Sequence, residues 1–280
     1  MKFITFVNLA YTDMCYNLYK QLSVFDRHED LTVVCTDINT FNKLSQYKMD
    51  CQIEVYKPVL FKNVEETLQI YLSNTEYGST SNLSPSYTMY QFLKHDAFYQ
   101  MLLKHDHVCL IDSDMIIFED FVDELFYWID NQRKFKVIDT PAYLAFKYYL
   151  QIKIGVNLEQ PESLYRWIGK KQLINGGLMY ANNRCYSTLN HIQNYCKLFI
   201  PHFGQLNNID ENIVTEYFGR SVLHSMDNTF AITDHINLIN NVGVKYTPEQ
   251  VLKLKPMTFH PTFEADKIQF IKDCNQWFVE

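Results

Sequence analysis

Residues 108–118 read Val108-Cys109-Leu110-Ile111-Asp112-Ser113-Asp114-Met115-Ile116-Ile117-Phe118, with two carboxylates one residue apart at the end of a buried apolar run. In an extended segment alternate side chains share a face, so Asp112 and Asp114 are expected to point one way and Ser113 the other. Four apolar residues before the pair and four after it leave little room for an ordinary polar turn. Unpaired anions beside a core are unfavourable unless something binds them. A divalent cation answers that need.

Working outward, Ile4 to Leu9 reads as a first strand, Met14 to Leu22 as a helix and Leu31 to Cys35 as a second buried strand ending in Thr36-Asp37. A weaker strand follows near Ile53 to Tyr56. The polar stretch Ser73 to Ser86 reads as an exposed loop. From Tyr87 to Lys104 the spacing of Tyr90, Ala97, Phe98 and Met101 marks a helical apolar stripe, and the aspartate strand comes directly after it. Phe121, Val122, Leu125, Phe126 and Ile129 form another amphipathic helix. Strands alternating with helices imply an α/β architecture with a mostly parallel sheet flanked by helices. Ligands in such sheets sit beyond the carboxyl ends of the strands, which is where Asp112 and Asp114 fall. The second half is less regular: Val137 to Ile138 is a short strand, Pro141 to Lys171 is aromatic without clean periodicity, and Leu173 to Tyr180 reads as two strand pieces around Asn175-Gly176-Gly177.

The 280 residues carry no Gly/Pro/Ser-rich linker, so a single domain is expected, with residues 1–118 as a ligand-binding half and 119–280 as a less regular half built onto it. Hydrophobic residues at 47% and charged residues at 20% fit a folded globular chain rather than a disordered one. A net charge of −7 argues against a broad nucleic-acid surface. The start lacks a signal sequence and no stretch approaches the roughly 20 apolar residues that span a bilayer, so a soluble cytoplasmic protein is expected. Seven cysteines without close metal-type pairing fit free thiols in a reducing compartment, and zinc does not fit.

An Asp-x-Asp pair after a strand also occurs in haloacid dehalogenase-type phosphatases, but those carry Thr two residues after the second Asp and place the motif near the N-terminus, whereas this chain has Ile116. The chain instead resembles the GT-A nucleotide-sugar glycosyltransferases, in the metal-dependent group that includes glycogenin and bacterial galactosyltransferases. That resemblance implies a Rossmann-like GT-A fold in which Asp112-Ser113-Asp114 binds Mn²⁺, with Mg²⁺ as the alternative, to grip the donor diphosphate. It assigns the third metal ligand to His260 of Lys255-Pro-Met-Thr-Phe-His260. It implies a lysine on the diphosphate, for which Lys267 and Lys255 compete. Two carboxylates and an imidazole suit these ions better than a tetrahedral zinc site.

Lys94 carries its own argument, since it lies within a buried helical stripe where an ammonium needs a partner; similar transferases hold there a basic residue that contacts the donor sugar or an active-site carboxylate. Asn175, Gly176 and Gly177 resemble the family's donor-sugar segment, and Asn-Gly between apolar runs is equally a hairpin signal. The segment from Asn207 to Val214 resembles the family's acidic segment beneath the anomeric carbon, with Asp210 and Glu211 both open for that place. Asn8, Tyr11 and Asp37 follow the first two strands, where similar enzymes hold the nucleoside; turn and cap roles explain them as well. Together these imply transfer of a sugar, from a UDP-sugar and with retention, to a glycan, protein or small-molecule hydroxyl. The competing readings are a nucleotidyltransferase or diphosphate-cleaving enzyme on a related fold, and a non-catalytic binding module. Aromatic residues from Tyr143 to Tyr149, with Tyr165 and Trp167, are candidates for stacking on an acceptor.

Overall fold

A computed structural model describes residues 1–58, 85–126, 135–140, 173–182, 223–226, 231–233, 235–237, 242–261 and 266–274. In chain order the strands are β1 (Lys2–Val7), β2 (Leu31–Cys35), β3 (Gln52–Val55), β4 (His107–Ile111), β5 (Ile116–Ile117), β6 (Phe135–Thr140), β7 (Leu173–Asn182), β8 (Leu223–Met226), β9 (Ala231–Thr233), β10 (His235–Asn237), β11 (Val242–Val244) and β12 (Thr258–His260). Among the described residues the helices are α1 (Thr12–Val24), α2 (Ile38–Leu44), α3 (Pro85–Leu102), α4 (Pro248–Leu254) and α5 (Lys267–Cys274), and residues 122–126 are helical as well.

Seven strands form the main sheet in the order β3-β2-β1-β4-β7-β6-β8. Pairing is parallel except at β7, which runs antiparallel to both β4 and β6. The sheet is therefore mostly parallel, as the alternation of strands and helices requires. Its central strands are apolar on both faces because both faces are covered. On β1, Phe3 and Val7 join Cys15, Leu18 and Leu22 of α1, Leu31 and Val33 of β2, and Cys109 and Ile111 of β4 in one core. Ile4 and Phe6 point the opposite way and are equally buried, with Phe6 edge-on to Tyr56 at 5.4 Å.

The first strand ends at Val7, two residues earlier than the apolar run suggests, because Asn8 takes a capping role: its side-chain oxygen accepts from the Ala10 N–H at 3.0 Å and opens a short 3-10 turn over Leu9–Tyr11. Asp37 does the same for α2. Its Oδ1 accepts from the Thr40 N–H at 2.9 Å, while its Oδ2 accepts from the Thr36 hydroxyl at 2.7 Å and the Thr40 hydroxyl at 3.1 Å. The backbone amide bond to Thr40 outweighs partial burial and lowers the Asp37 carboxyl below the usual range.

Two sequence expectations change. Asn175-Gly176-Gly177 does not turn a hairpin: β7 is a single strand running through it, and the pairing with β6 shifts between Val137 and Ile138, whose partners are Met179 and Asn175. The extra residues bulge out of the ladder, a distortion glycines tolerate. Likewise Asp112 and Asp114 do not belong to one extended strand. After β4 ends at Ile111, residues 113–114 form a turn closed by the Met115 N–H donating to the Asp112 carbonyl at 3.1 Å.

A smaller sheet, β5-β12-β9, carries a second core of Ile116, Val251, Phe259, Phe270, Ile271 and Cys274. Phe259 stacks on Phe270 at 5.6 Å and meets Tyr246 edge-on at 5.8 Å. α4 is framed by a reciprocal cap between Thr247 and Gln250 and ends at Lys255, which takes a left-handed conformation. Among the described residues no helix is long and apolar enough to cross a membrane. Cys15, Cys35, Cys51, Cys109 and Cys274 are free thiols, and burial pushes Cys35 up to about 12 and Cys51 up to about 11.

Candidate functional site

The short sheet decides where the site forms. β12 pairs antiparallel with β5, Thr258 opposite Ile117 and Phe259 opposite Ile116, so continuing the register by one step sets His260 beside the residue after Asp114. The Phe118 N–H donates to the Met257 carbonyl at 2.8 Å and fastens the other end. Asp112, Asp114 and His260 thereby offer one ligand atom each, all within 4.8 Å of one another.

Each carboxylate has a cation. The Lys94 Nζ lies 2.7 Å from Asp112 Oδ1, and its side chain, only 3% exposed, arrives from the buried stripe of α3. The Lys267 ammonium, at the start of α5, contacts Asp114 Oδ2, and the His260 Nε2 lies 3.2 Å from Asp114 Oδ1. Burial raises the Asp112 carboxyl; Lys94 opposes that rise and the like charge of Asp114 reinforces it. Burial pushes Asp114 up as well, but His260 and Lys267 together outweigh it and hold that carboxyl well below the usual carboxylate range. Burial disfavours the charged form of Lys267, and the attraction of Asp114 overcomes this and raises its pKa. Tyr11 feels the same charges: burial raises its hydroxyl, Lys267 lowers it, and Asp114 and Asp112 raise it.

The arrangement fits a hard divalent ion. Oxygen and nitrogen ligands about 2.0–2.5 Å from one such cation stand at most about 4–5 Å apart, which matches the observed spread. Another grouping of potential ligands, His28, Glu29 and Asp50, precedes β2 and β3 and so lies at the amino ends of the parallel strands, with Glu29 and Asp50 exposed. The fold directs ligands to the opposite edge.

Ser113 is buried at the turn between the aspartates. The Asn175-Gly176-Gly177 segment runs alongside: the Asp112 N–H donates to the Gly177 carbonyl at 2.8 Å, so the bulge of β7 abuts the first aspartate. Asn8, Tyr11 and Asp37 follow β1 and β2 at the same edge. Lys255 is exposed at the end of α4, and Lys267 is the lysine that reaches the carboxylates. Asp210 and Glu211, with Tyr143 to Tyr149, Tyr165 and Trp167, lie outside the described residues.

One supporting residue escaped the sequence reading. Gln21 on α1 is 2% exposed; its amide nitrogen donates to the Met115 carbonyl at 3.2 Å and its oxygen accepts from the Ile117 N–H at 2.7 Å. It completes the backbone bonding of the short β5 strand just after Asp114. Its signal is a polar side chain three residues after Leu18, on the face α1 buries. Gln21→Met keeps the volume and removes both bonds, so it is expected to lower stability by about 1–3 kcal/mol through the stranded Ile117 N–H. Urea unfolding measures this, and a change under about 0.5 kcal/mol would show that water or a neighbour replaces the amide.

The sequence matches no protein-family model and no curated protein. Solved structures do match in three dimensions. The galactosyltransferase LgtC, determined with donor and acceptor sugar analogues, superimposes with a TM-score of 0.57 at 11% identity over 98% of this chain and 95% of that one. The bifunctional glycosyltransferase WbbM gives 0.56 at 13% identity over 99% of this chain and 50% of that chain, so this chain spans about half the length of WbbM. Mouse xyloside xylosyltransferase 1 gives 0.52 at 12% identity over 94% of this chain and 97% of that chain. With its mostly parallel sheet, flanking helices and Asp-x-Asp turn at the carboxyl edge of β4, the chain has the GT-A fold, the Rossmann-like α/β arrangement of these glycosyltransferases.

Proposed function

We propose that this protein is a glycosyltransferase that moves a hexosyl group from a nucleotide diphosphate sugar, a UDP-sugar, to an acceptor hydroxyl with retention of anomeric configuration. The observation that carries the reading is the convergence of Asp112, Asp114 and His260 at the carboxyl edge of the sheet, with Lys267 against the same carboxylate. Such a set suits an anionic diphosphate and has no purpose in packing.

Asp112, Asp114 and His260 would hold Mn²⁺ or Mg²⁺, which when bound supplies Lewis-acid neutralisation of the charge on a departing diphosphate. Lys94 fixes the Asp112 carboxylate through its 2.7 Å contact, so that ligand does not have to be ordered when donor arrives. Lys267 offers a second positive charge to the diphosphate oxygens. The Asn175-Gly176-Gly177 bulge gives the donor sugar a surface without β-carbons at two positions, next to the Asp112 backbone. Asn8, Tyr11 and Asp37 line the edge assigned to the nucleoside. Asp210 or Glu211 is assigned to the face beneath the anomeric carbon, where a carboxylate stabilises developing positive charge.

Incubating the protein with a panel of nucleotide sugars, with and without Mn²⁺, tests the proposal. Mn²⁺-dependent release of nucleoside diphosphate from one donor is the expected outcome. Release of pyrophosphate or nucleoside monophosphate would instead identify a nucleotidyltransferase or a diphosphate-cleaving enzyme. Donor binding with no turnover across a broad acceptor panel would identify a binding module.

A further inference from the structure

We infer that Tyr56 and Asp96 are positioning residues: the bond between them pins α3 to the end of β3 and thereby sets where Lys94 stands in the site. The catalytic consequence rests on the site assignment made under the proposed function. The inference goes beyond it by extending the support of the site to the outer strand of the main sheet, with β2 and β1 between that strand and β4.

Tyr56 is itself fixed before it meets α3. Its backbone N–H donates to the Cys35 carbonyl at 2.8 Å, which carries the β2–β3 ladder one step past Val55, and its ring lies edge-on to Phe6 of β1 at 5.4 Å. Its hydroxyl donates to Asp96 Oδ2. The Gln100 amide nitrogen donates to the same oxygen at 3.2 Å and to the Lys57 carbonyl at 2.8 Å. Asp96 and Gln100 are four residues apart and so share one face of α3. The two residues that follow β3 thus grip two successive turns of the helix.

Asp96 is 0% exposed, a place where an apolar side chain would pack without the cost of taking a carboxylate out of water. A hydrogen bond is directional and apolar packing is not, so what the buried carboxylate adds is registry. At 3.6 residues per turn, Lys94 and Asp96 stand about 200° apart around the helix. One polar anchor therefore faces Asp112, whose Oδ1 lies 2.7 Å from the Lys94 Nζ, and the other faces the end of β3. Anchors on opposite sides stop the helix from rolling or sliding over the sheet, which neither does alone. Lys94 is 3% exposed, and a side chain enclosed to that degree moves when its helix moves. Catalytic groups tolerate little of this, since a misplacement of about 1 Å can remove most of their effect.

Tyr56→Phe tests the inference, because it keeps the ring against Phe6 and removes the hydroxyl alone. The full chain, without metal or donor, is acetylated with sulfosuccinimidyl acetate and each lysine is read by peptide mass spectrometry. Leu22→Ala, a deletion in the core of α1, is the control for lost stability, and thermal unfolding checks the folding of every variant. Tyr56→Phe is expected to raise the acetylation rate of Lys94 about tenfold while the exposed Lys43 and Lys253 react as in wild type, because the local opening that exposes Lys94 becomes easier. With the donor that the nucleotide-sugar panel identifies, Tyr56→Phe should lower kcat about tenfold in the wild-type background and by less than about twofold in a Lys94→Met background, the non-additivity of a residue that acts through another. Wild-type acetylation of Lys94 in a folded Tyr56→Phe protein, or an equal rise in Leu22→Ala, overturns the inference and leaves the functional proposal standing. Losses in kcat that add across the two backgrounds overturn it as well. Absence of nucleoside diphosphate release from every donor overturns the functional proposal, and the acetylation result then decides the pinning of α3 by itself.

Discussion

Asp114→Asn is expected to reduce metal-dependent donor turnover by about a thousandfold or more, a loss of at least about 4 kcal/mol of transition-state stabilisation. The size follows from how much converges on this one side chain. Its Oδ1 lies 3.2 Å from the His260 Nε2, its Oδ2 receives the Lys267 ammonium, and it is one of the three groups that share a cation-sized space. Asparagine preserves shape and leaves the turn between β4 and β5 intact, so the change removes charge rather than structure. It also leaves Lys267 without its anion. Rates of nucleoside diphosphate release at saturating Mn²⁺, read together with Mn²⁺ affinity in the presence of UDP, make the measurement. Activity within about tenfold of wild type (about 1.4 kcal/mol) would mean that Asp114 is no metal ligand and that the convergence serves the fold alone.

The parts of this chain that were legible in sequence are those where one physical rule acts alone. β2 matches its apolar run residue for residue, because a strand buried on both faces reads as continuous apolar sequence. Lys94 announced itself by breaking the apolar stripe of α3, and its burial and the Asp112 contact answer that break. His260 was reached only through the resemblance, since nothing local to Thr258-Phe259-His260 distinguishes a three-residue strand from a loop. What brings it to Asp114 is the pairing of that strand with the two residues of β5, a long-range contact between segments too short to show periodicity. The aspartates are expected from sequence to share one face of a strand, and the structure differs in the local geometry. Alternation on a strand would place them on one face; the turn closed between Asp112 and Met115 is what sets their present geometry. The hairpin signal at Asn175-Gly176 was overridden by the sheet: β6 pairs with Leu173–Asn175 and again from Met179, and β4 pairs from Leu178 onward, so the glycines form a bulge within one strand rather than a turn between two. Asn8, Asp37 and Gln21 show a further limit: a polar residue at a strand end or on a helix face has a role that only the location of its hydrogen-bond partners decides.

Phe259→Ala is expected to lower stability by about 3–5 kcal/mol, the upper range for emptying a fully buried aromatic site. The side chain is entirely buried, stacked on Phe270 and edge-on to Tyr246, in a core of only a few side chains that has little material with which to collapse into the cavity. The same residue pairs with Ile116 across β12 and β5, so the cavity opens directly beneath the register that sets His260 against Asp114. Loss of stability should therefore be accompanied by loss of metal affinity, of about tenfold or more in the presence of UDP, even where the protein remains folded; that factor corresponds to about 1.4 kcal/mol of misplacement at one ligand. Phe259→Leu separates the two effects, because it refills most of the volume without the ring stacking. It should recover most of the stability and nearly all of the metal affinity if the phenylalanine acts by filling space under the strand. Urea unfolding and Mn²⁺ titration with UDP on the same samples decide it. A Phe259→Ala protein that loses stability yet keeps wild-type metal affinity would show that His260 is held by something other than the β5–β12 pairing.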